Sequence, residues 1–263
     1  MSIKNYTTIF IERDGRIARV WFNRPDVHNA FNAIMIRELR DAFRDVREDP
    51  QIRVVVLSGR GASFCAGADL NWMREIIHFS YNENIQESTE LADCLEELYS
   101  LPKPTIARVN GTAIGGGTGF LAACDIVVAS REAVFGLSES KLGLVPAVIS
   151  PYIVRRIGEA RAHRYFLTGE RIDAARAEEV GLINRSLDPG LIDAQIDDFA
   201  RMLLSSGPEA LAKAKELLRV IPRLSYEEGK KFAVEMIAGL RVSAEGQEGM
   251  AAFLEKRKPK WAE

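Results

Sequence analysis

The stretch Asn110–Ile126, NGTAIGGGTGFLAACDI, constrains this chain more than any other segment. Gly115, Gly116, Gly117 and Gly119 crowd one turn between PTIARVN and DIVVAS, two apolar runs that read as strands. A backbone stripped of side chains is one that something approaches closely. Three partners meet that description. One is a nucleotide diphosphate, because Gly117-Thr118-Gly119-Phe120-Leu121-Ala122 spells G-x-G-x-x-A. Another is a neighbouring element packed tightly on the turn. The third is an oxyanion held by bare amides at a helix N-terminus, where free N–H groups and the positive dipole end converge. A dinucleotide fingerprint belongs in the first βαβ unit, with an acid about 20 residues on. Here several elements come first and Asp125 follows too soon, so the first partner fits worst.

The flanking sequence sets the fold class. TTIFIER and RIARVWFN, split by Asp14-Gly15, predict a hairpin. AIMIRELRDAFRDVRED places Ile34, Ile36, Leu39, Phe43 and Val46 at a helical period. IRVVVLSG is a continuous apolar run suited to a strand buried on both faces. The helix predicted over NIQESTELADCLEELYSL stops at Pro102 and Pro104. Strands alternating with helices predict an α/β core of βαβ units, and from about residue 150 the pattern turns helical.

Composition narrows the function classes. A net charge of −2 and a pI near 6.1 argue against a nucleic-acid footprint. No apolar run nears the roughly 18 residues of a membrane span. The start, MSIKNYTTIFIERDGR, lacks a signal-peptide core. Cys65, Cys94 and Cys124 form no C-x-x-C pair and read as reduced thiols. A soluble, cytoplasmic protein is expected. His28, His78 and His163 lack metal-ligand spacing, so no metal is expected. His78 is placed on an apolar helix face, which makes a Cys65–His78 nucleophile pair less credible than a small buried Cys65.

A second small-residue loop, SFCAGADL, follows a buried strand. Asp69 reads as the N-cap of the next helix. The backbone of Ala68 is free to supply a second amide while Asp69 caps.

Together NRPDVHNAFN, SFCAGADLNWM, PKPTIARVNGTAIGGGTGFLAACDIVVAS, FGLSESKLGLVP, ARAEEVGLIN and FLEKRKP resemble the enoyl-CoA hydratase/isomerase (crotonase) superfamily in order and spacing. FCAGADLNWM and KLGLVPAVISPYIV look most like bacterial methylglutaconyl-CoA and isohexenylglutaconyl-CoA hydratases. The resemblance implies a spiral of ββα units over residues 1–200 and a C-terminal helical trimerisation region over residues 201–263. It also implies a homotrimer or dimer of trimers acting on an acyl-CoA thioester. CoA is then part of the substrate, and no separate cofactor is implied. The thioester oxygen would lie between the amides of Ala68 and Gly116, which makes the glycines room for a thioester carbonyl. Positions matching the family's substrate contacts are His28, Ala30, Ala66, Ala68, Asp69, Leu70, Ile114, Gly115, Gly116, Gly119 and Glu139. Arg24 belongs to the same CoA-contacting loop, and Lys256 and Arg257 are candidates for CoA phosphates. Trp72 and Met73 are candidates for the acyl pocket or the core.

Hydratases of this family commonly use two glutamates. The downstream one matches Glu139, the expected general acid/base; the first matches Gly119. A glutamate placed at 119 is therefore expected to raise hydration, provided the pocket has room for it. Without it, Glu139 orients water alone, or with Tyr81 or a glutamate of the NIQESTE helix. One carboxylate also suffices for a 3,2-enoyl-CoA isomerase, and an inactive acyl-CoA-binding or RNA-binding scaffold is the non-enzymatic alternative. Glu132 is expected to be solvated. The acyl group stays open, since Arg74, Lys141 and Arg155 are not placed by the sequence.

Overall fold

The computed structural model describes residues 5–262. The first residues of the MSIKNYTTIFIERDGR stretch and Glu263, the last of the expected C-terminal region, lie outside them. The chain forms two compact units. One comprises the chain up to Leu101 with Thr105–Ile196; the other comprises Pro102–Pro104 with the chain from Asp197.

The first unit carries two sheets. β1 (Ile9–Asp14) and β2 (Ile17–Phe22) form the expected antiparallel hairpin, turning at Gly15 with φ 57. β2 then runs parallel to β3 (Val54–Gly59), whose six residues are all buried, as a continuous Val/Leu run requires. β4 (Ser63–Cys65) leaves that sheet and starts a second one. The same move repeats twice. β5 (Thr105–Val109) joins the first sheet and β6 (Thr112–Ile114) the second; β7 (Ile126–Ser130) and β8 (Val134–Gly136) do likewise. Each strand pair is followed by helix, so the chain winds as a spiral of ββα units. β9 (Arg171–Asp173) and β10 (Arg185–Leu187) close the two sheets. Both are three-residue strands inside a stretch whose pattern reads as wholly helical; they are too short to show a period.

The helices follow their caps. α1 (Ala33–Glu48) starts at Asn32, whose side chain accepts from the Met35 amide. It buries Met35, Ile36, Leu39, Ala42, Phe43 and Val46, whereas Ile34 is exposed. α2 (Leu70–Ile76) is capped by Asp69, as expected. His78 lies beyond the end of α2 and is exposed, not on an apolar face. α3 (Tyr81–Tyr99) begins with a capping box between Ser80 and Glu83, earlier than the periodic stretch predicts. α4 (Gly116–Ala123) follows β6 directly, and α5 (Ser150–Ile157), α6 (Glu159–Thr168) and α7 (Ala174–Glu179) follow β8. The core includes Phe22, Phe64 and Phe120, with ring centroids 5.1 Å apart for Phe22–Phe64 and 5.4 Å for Phe22–Phe120, both edge-on.

α8 (Ile192–Leu204) contains the boundary between the units, and the expected division at residue 200 lies in the same helix. The second unit holds α9 (Pro208–Val220), α10 (Tyr226–Val242) and α11 (Ala244–Leu254). Glu245 accepts from the amides of Glu209 and Ala210, satisfying the N-terminus of α9. Among the described residues, no helix is long and apolar enough to cross a membrane.

Candidate active site

The site grows from two loops that the sheets bring side by side. After β4 the chain runs through Ala66–Asp69 alongside His28–Phe31. The Ala66 amide donates to the His28 carbonyl at 3.0 Å, Phe31 to Gly67 at 2.8 Å, and Asp69 to Phe31 at 2.9 Å. This short parallel pairing sets Phe31 opposite Ala68 and leaves the Ala68 amide unused. His28 and Asn29 both adopt left-handed φ, at 53 and 56. Asn29, fully buried, holds that bend: its Oδ1 accepts from the Arg24 amide, and its Nδ2 donates to the carbonyls of Arg60 and Ser63. His28 is exposed, with Nδ1 3.1 Å from the Ser63 hydroxyl.

The glycine turn abuts this loop. A Cβ on Gly67 would stand 3.1 Å from the Ile114 carbonyl, and one on Gly117 would stand 2.1 Å from the Cys65 carbonyl. Gly115, at φ 54 and ψ −124, turns the chain from β6 into α4 in a conformation reserved for glycine. Its amide bonds the Gly136 carbonyl, while Thr118 Oγ1 donates to the carbonyls of Ala113 and Gly136. Among the described residues, no backbone hydrogen bond occupies the Gly116 amide at the N-terminus of α4. Two unused amides, Ala68 and Gly116, thus sit on loops in direct contact.

Pairing of Ile114 with Gly136 carries β8 past this turn, and Glu139 opens the 3-10 turn Glu139–Leu142 just beyond. Its Oε1 lies 3.0 Å from the point where a Gly115 Cβ would be. Its Oε2 is buried without a hydrogen-bond partner. Burial raises the Glu139 pKa above the ordinary carboxylate value, against the smaller opposing effect of its own backbone amide.

The glycines themselves answer to packing. A side chain on Gly116 would meet the Phe31 ring at 2.6 Å, and one on Gly119 the Ile149 Cγ2 at 2.2 Å. The Gly115 position is the one in this turn that faces a carboxylate. The space that side chains on Gly116, Gly117 and Gly119 would fill holds protein atoms, so close packing accounts for glycine at those three positions. We expect Gly116→Val to lose thermal stability as well as turnover, because Phe31 belongs to the core. Tm and turnover measured together check this; an unchanged Tm would refute the Phe31 contact.

Of the other expected residues, His28, Ala30, Ala66, Ala68 and Asp69 share the paired loops, and Ile114 abuts them at Gly67. Ala30 and Asp69 are buried, Ala66, Ala68 and Ile114 half-buried, and Leu70 exposed. Trp72 packs edge-on against Phe31 at 5.7 Å, on the core side of α2. Cys65 is buried, with its thiol pushed up to about 12 by desolvation, which suits no nucleophile. Among the water-orienting candidates, Glu90 pairs with Arg40 and Tyr81 is exposed. Glu87 keeps a buried, unpartnered Oε2 on α3, and burial raises its pKa. Glu132 is exposed. Arg257 is engaged within the second unit by Glu248, at 2.7 and 3.0 Å, and by Glu255. Arg24, expected to contact CoA, spends its guanidinium on the Ala30 carbonyl and on Asp69. Sequence reasoning missed Phe31 and Ile149. Both are ordinary apolar residues whose importance comes from what they touch.

Residues 12–263 match the family model described as enoyl-CoA hydratase/isomerase, and the chain belongs to that family. A Thermus thermophilus relative is 38% identical over 247 residues, covering 94% of this chain and 98% of its own length. A Syntrophomonas wolfei protein named crotonyl-CoA hydratase is 30% identical, covering 96% of this chain and 97% of its own. The crystal structure of an enoyl-CoA hydratase from Shewanella pealeana matches with a TM-score of 0.95 at 40% identity, over 97% of this chain and 96% of that one.

Proposed function

We propose that this protein hydrates the 2,3 double bond of an enoyl-CoA thioester, with Glu139 as a single general acid/base. The observation that carries the reading is the Glu139 carboxyl set against Gly115, one residue before a free helix-terminal amide, with one oxygen buried and unpartnered. The thioester oxygen accepts from the Ala68 and Gly116 amides, which draw electrons from the double bond. Water's oxygen bonds to C3 while Glu139 takes one of its protons, and the π electrons move onto the thioester oxygen as an enolate. Glu139 then returns the proton to C2 as the enolate collapses. Burial raises the carboxyl's pKa and so favours a group that both takes and gives a proton.

The likeness of the FCAGADLNWM and KLGLVPAVISPYIV segments to methylglutaconyl-CoA hydratases supports a branched substrate, the family resemblance supports a homotrimer or dimer of trimers, and three free cysteines support a cytoplasmic setting. One observation favours a second reading: Ile149 fills the space beside Gly119, leaving no carboxylate there to hold water. Glu139 alone suffices to carry a proton from C2 to C4 in a 3,2-isomerisation. Turnover of 2-enoyl and 3-enoyl thioesters in deuterated water separates the two. Hydration yields a 3-hydroxyacyl product with deuterium at C2. Isomer interconversion across the panel without hydroxyacyl product would overturn the hydratase reading, and binding without either would leave a scaffold.

A further inference from the structure

We propose that Arg24 is a positioning residue for the reaction: by clamping the His28–Phe31 segment to the Ala66–Asp69 loop, it fixes where the Ala68 amide points. This rests on the oxyanion role given to Ala68 above. The guanidinium donates through Nη1 to the Ala30 carbonyl and through Nη2 to Asp69 Oδ2 at 2.7 Å. Asp69 and Ala30 flank the pairing of Phe31 with Ala68, so the two ends of one fork grip both strands of that pairing. Asp69 Oδ1 meanwhile accepts from the Asn71 and Trp72 amides at 2.7 and 3.3 Å, tying the clamp to the start of α2. The Arg24 backbone is itself held by buried Asn29. Asp69 is 5% exposed, so loss of the guanidinium strands a buried carboxylate that must rotate, admit water or pull its loop outward. Any of these moves the adjacent Ala68 amide. A planar fork makes both bonds at once; an ammonium is a point charge and reproduces the ion pair without the second bond.

The test reads the amide pair directly. Acetoacetyl-CoA forms an enolate that absorbs in the near ultraviolet, and amides placed for an oxyanion raise the bound enolate fraction. Arg24→Gln should lower that enolate equilibrium and kcat for crotonyl-CoA together, by about tenfold or more, because misplaced donors lose oxyanion stabilisation. Affinity for free CoA should stay within about threefold, since the side chain is committed to the protein. Arg24→Lys should recover part of both losses. If Arg24→Gln does not fold, Asp69→Asn, which keeps an acceptor for the α2 amides, takes its place under the same criteria. A wild-type enolate equilibrium in the variant overturns the proposal. So does a loss confined to CoA affinity, which would make Arg24 a ligand contact. If the wild-type protein shows no enolate enrichment, the oxyanion reading itself fails and the clamp falls with it.

Discussion

Glu139→Gln keeps the shape of the side chain, removes its titratable proton, and should lower turnover by about 10²-fold or more. Thioester binding should change little, because the substitution leaves the amides of Ala68 and Gly116 in place. The pH dependence has a definite sign. Burial raises the folded pKa of Glu139 above its unfolded value, so ionisation is disfavoured in the folded protein. Activity that needs the carboxylate should therefore rise with pH through that raised pKa. Stability should run the other way. The contribution of protonated Glu139 is fully present below the unfolded pKa and is lost as pH rises through the folded one. Glu139→Gln, which never ionises, should then be more stable than wild type at neutral pH, and the difference should vanish in acid. Paired measurements of kcat and Tm across pH check both signs. Near-normal turnover in the variant would remove Glu139 from the chemistry and direct attention to Glu87, whose buried oxygen also lacks a partner.

Gly119→Glu should damage the protein rather than add a carboxylate to its site. A Cβ at 119 stands 2.2 Å from Ile149 Cγ2 and 2.8 Å from Ile149 Cβ. Ile149 is 3% exposed and is the residue from which α5 begins, so neither atom is the loose end of a flexible chain. Relief needs the start of α5 to move away from α4, and overpacking of this kind costs about 1–3 kcal/mol or more. We expect a lower Tm, and a loss of turnover where the family resemblance implies a gain for a pocket with room. Ile149→Ala leaves the 2.8 Å contact, so the clearing substitution is Ile149→Gly. Alone it opens a cavity costing on the order of 2–5 kcal/mol. Combined with Gly119→Glu it should cost less than the sum, with a coupling of about 0.5–3 kcal/mol. Gly119→Glu with an unchanged Tm would refute the contact. Additive effects in the double variant would show that the two residues do not share that space.

Much of this architecture was legible in the sequence for local reasons. The burial of β3 follows from an uninterrupted Val/Leu run, and the cap of α2 from Asp69. The glycine turn announced close approach, and the SFCAGADL loop announced a second bare backbone segment. What approaches them was not legible. Glycine records that space is filled without recording by what, and the same GGGTG spacing serves an anion, a ring or a neighbouring helix. Arg24 illustrates the same limit for charge. Its residue type suits a CoA phosphate or a carboxylate equally, and only the parallel run of residues 28–31 beside 66–69 joins it to Asp69, far away in sequence.

The sequence by itself determined the alternation of elements, the cap of α2 and a family motif set, because hydrophobic period and capping are decided within a few residues. The tertiary structure alone decided that Glu139 faces Gly115, that Phe31 and Ile149 fill the glycine gaps, and that Arg24 clamps two loops. Each of these depends on strands being placed side by side across sheets. That placement is set by the summed burial of the whole core and is encoded at no single position.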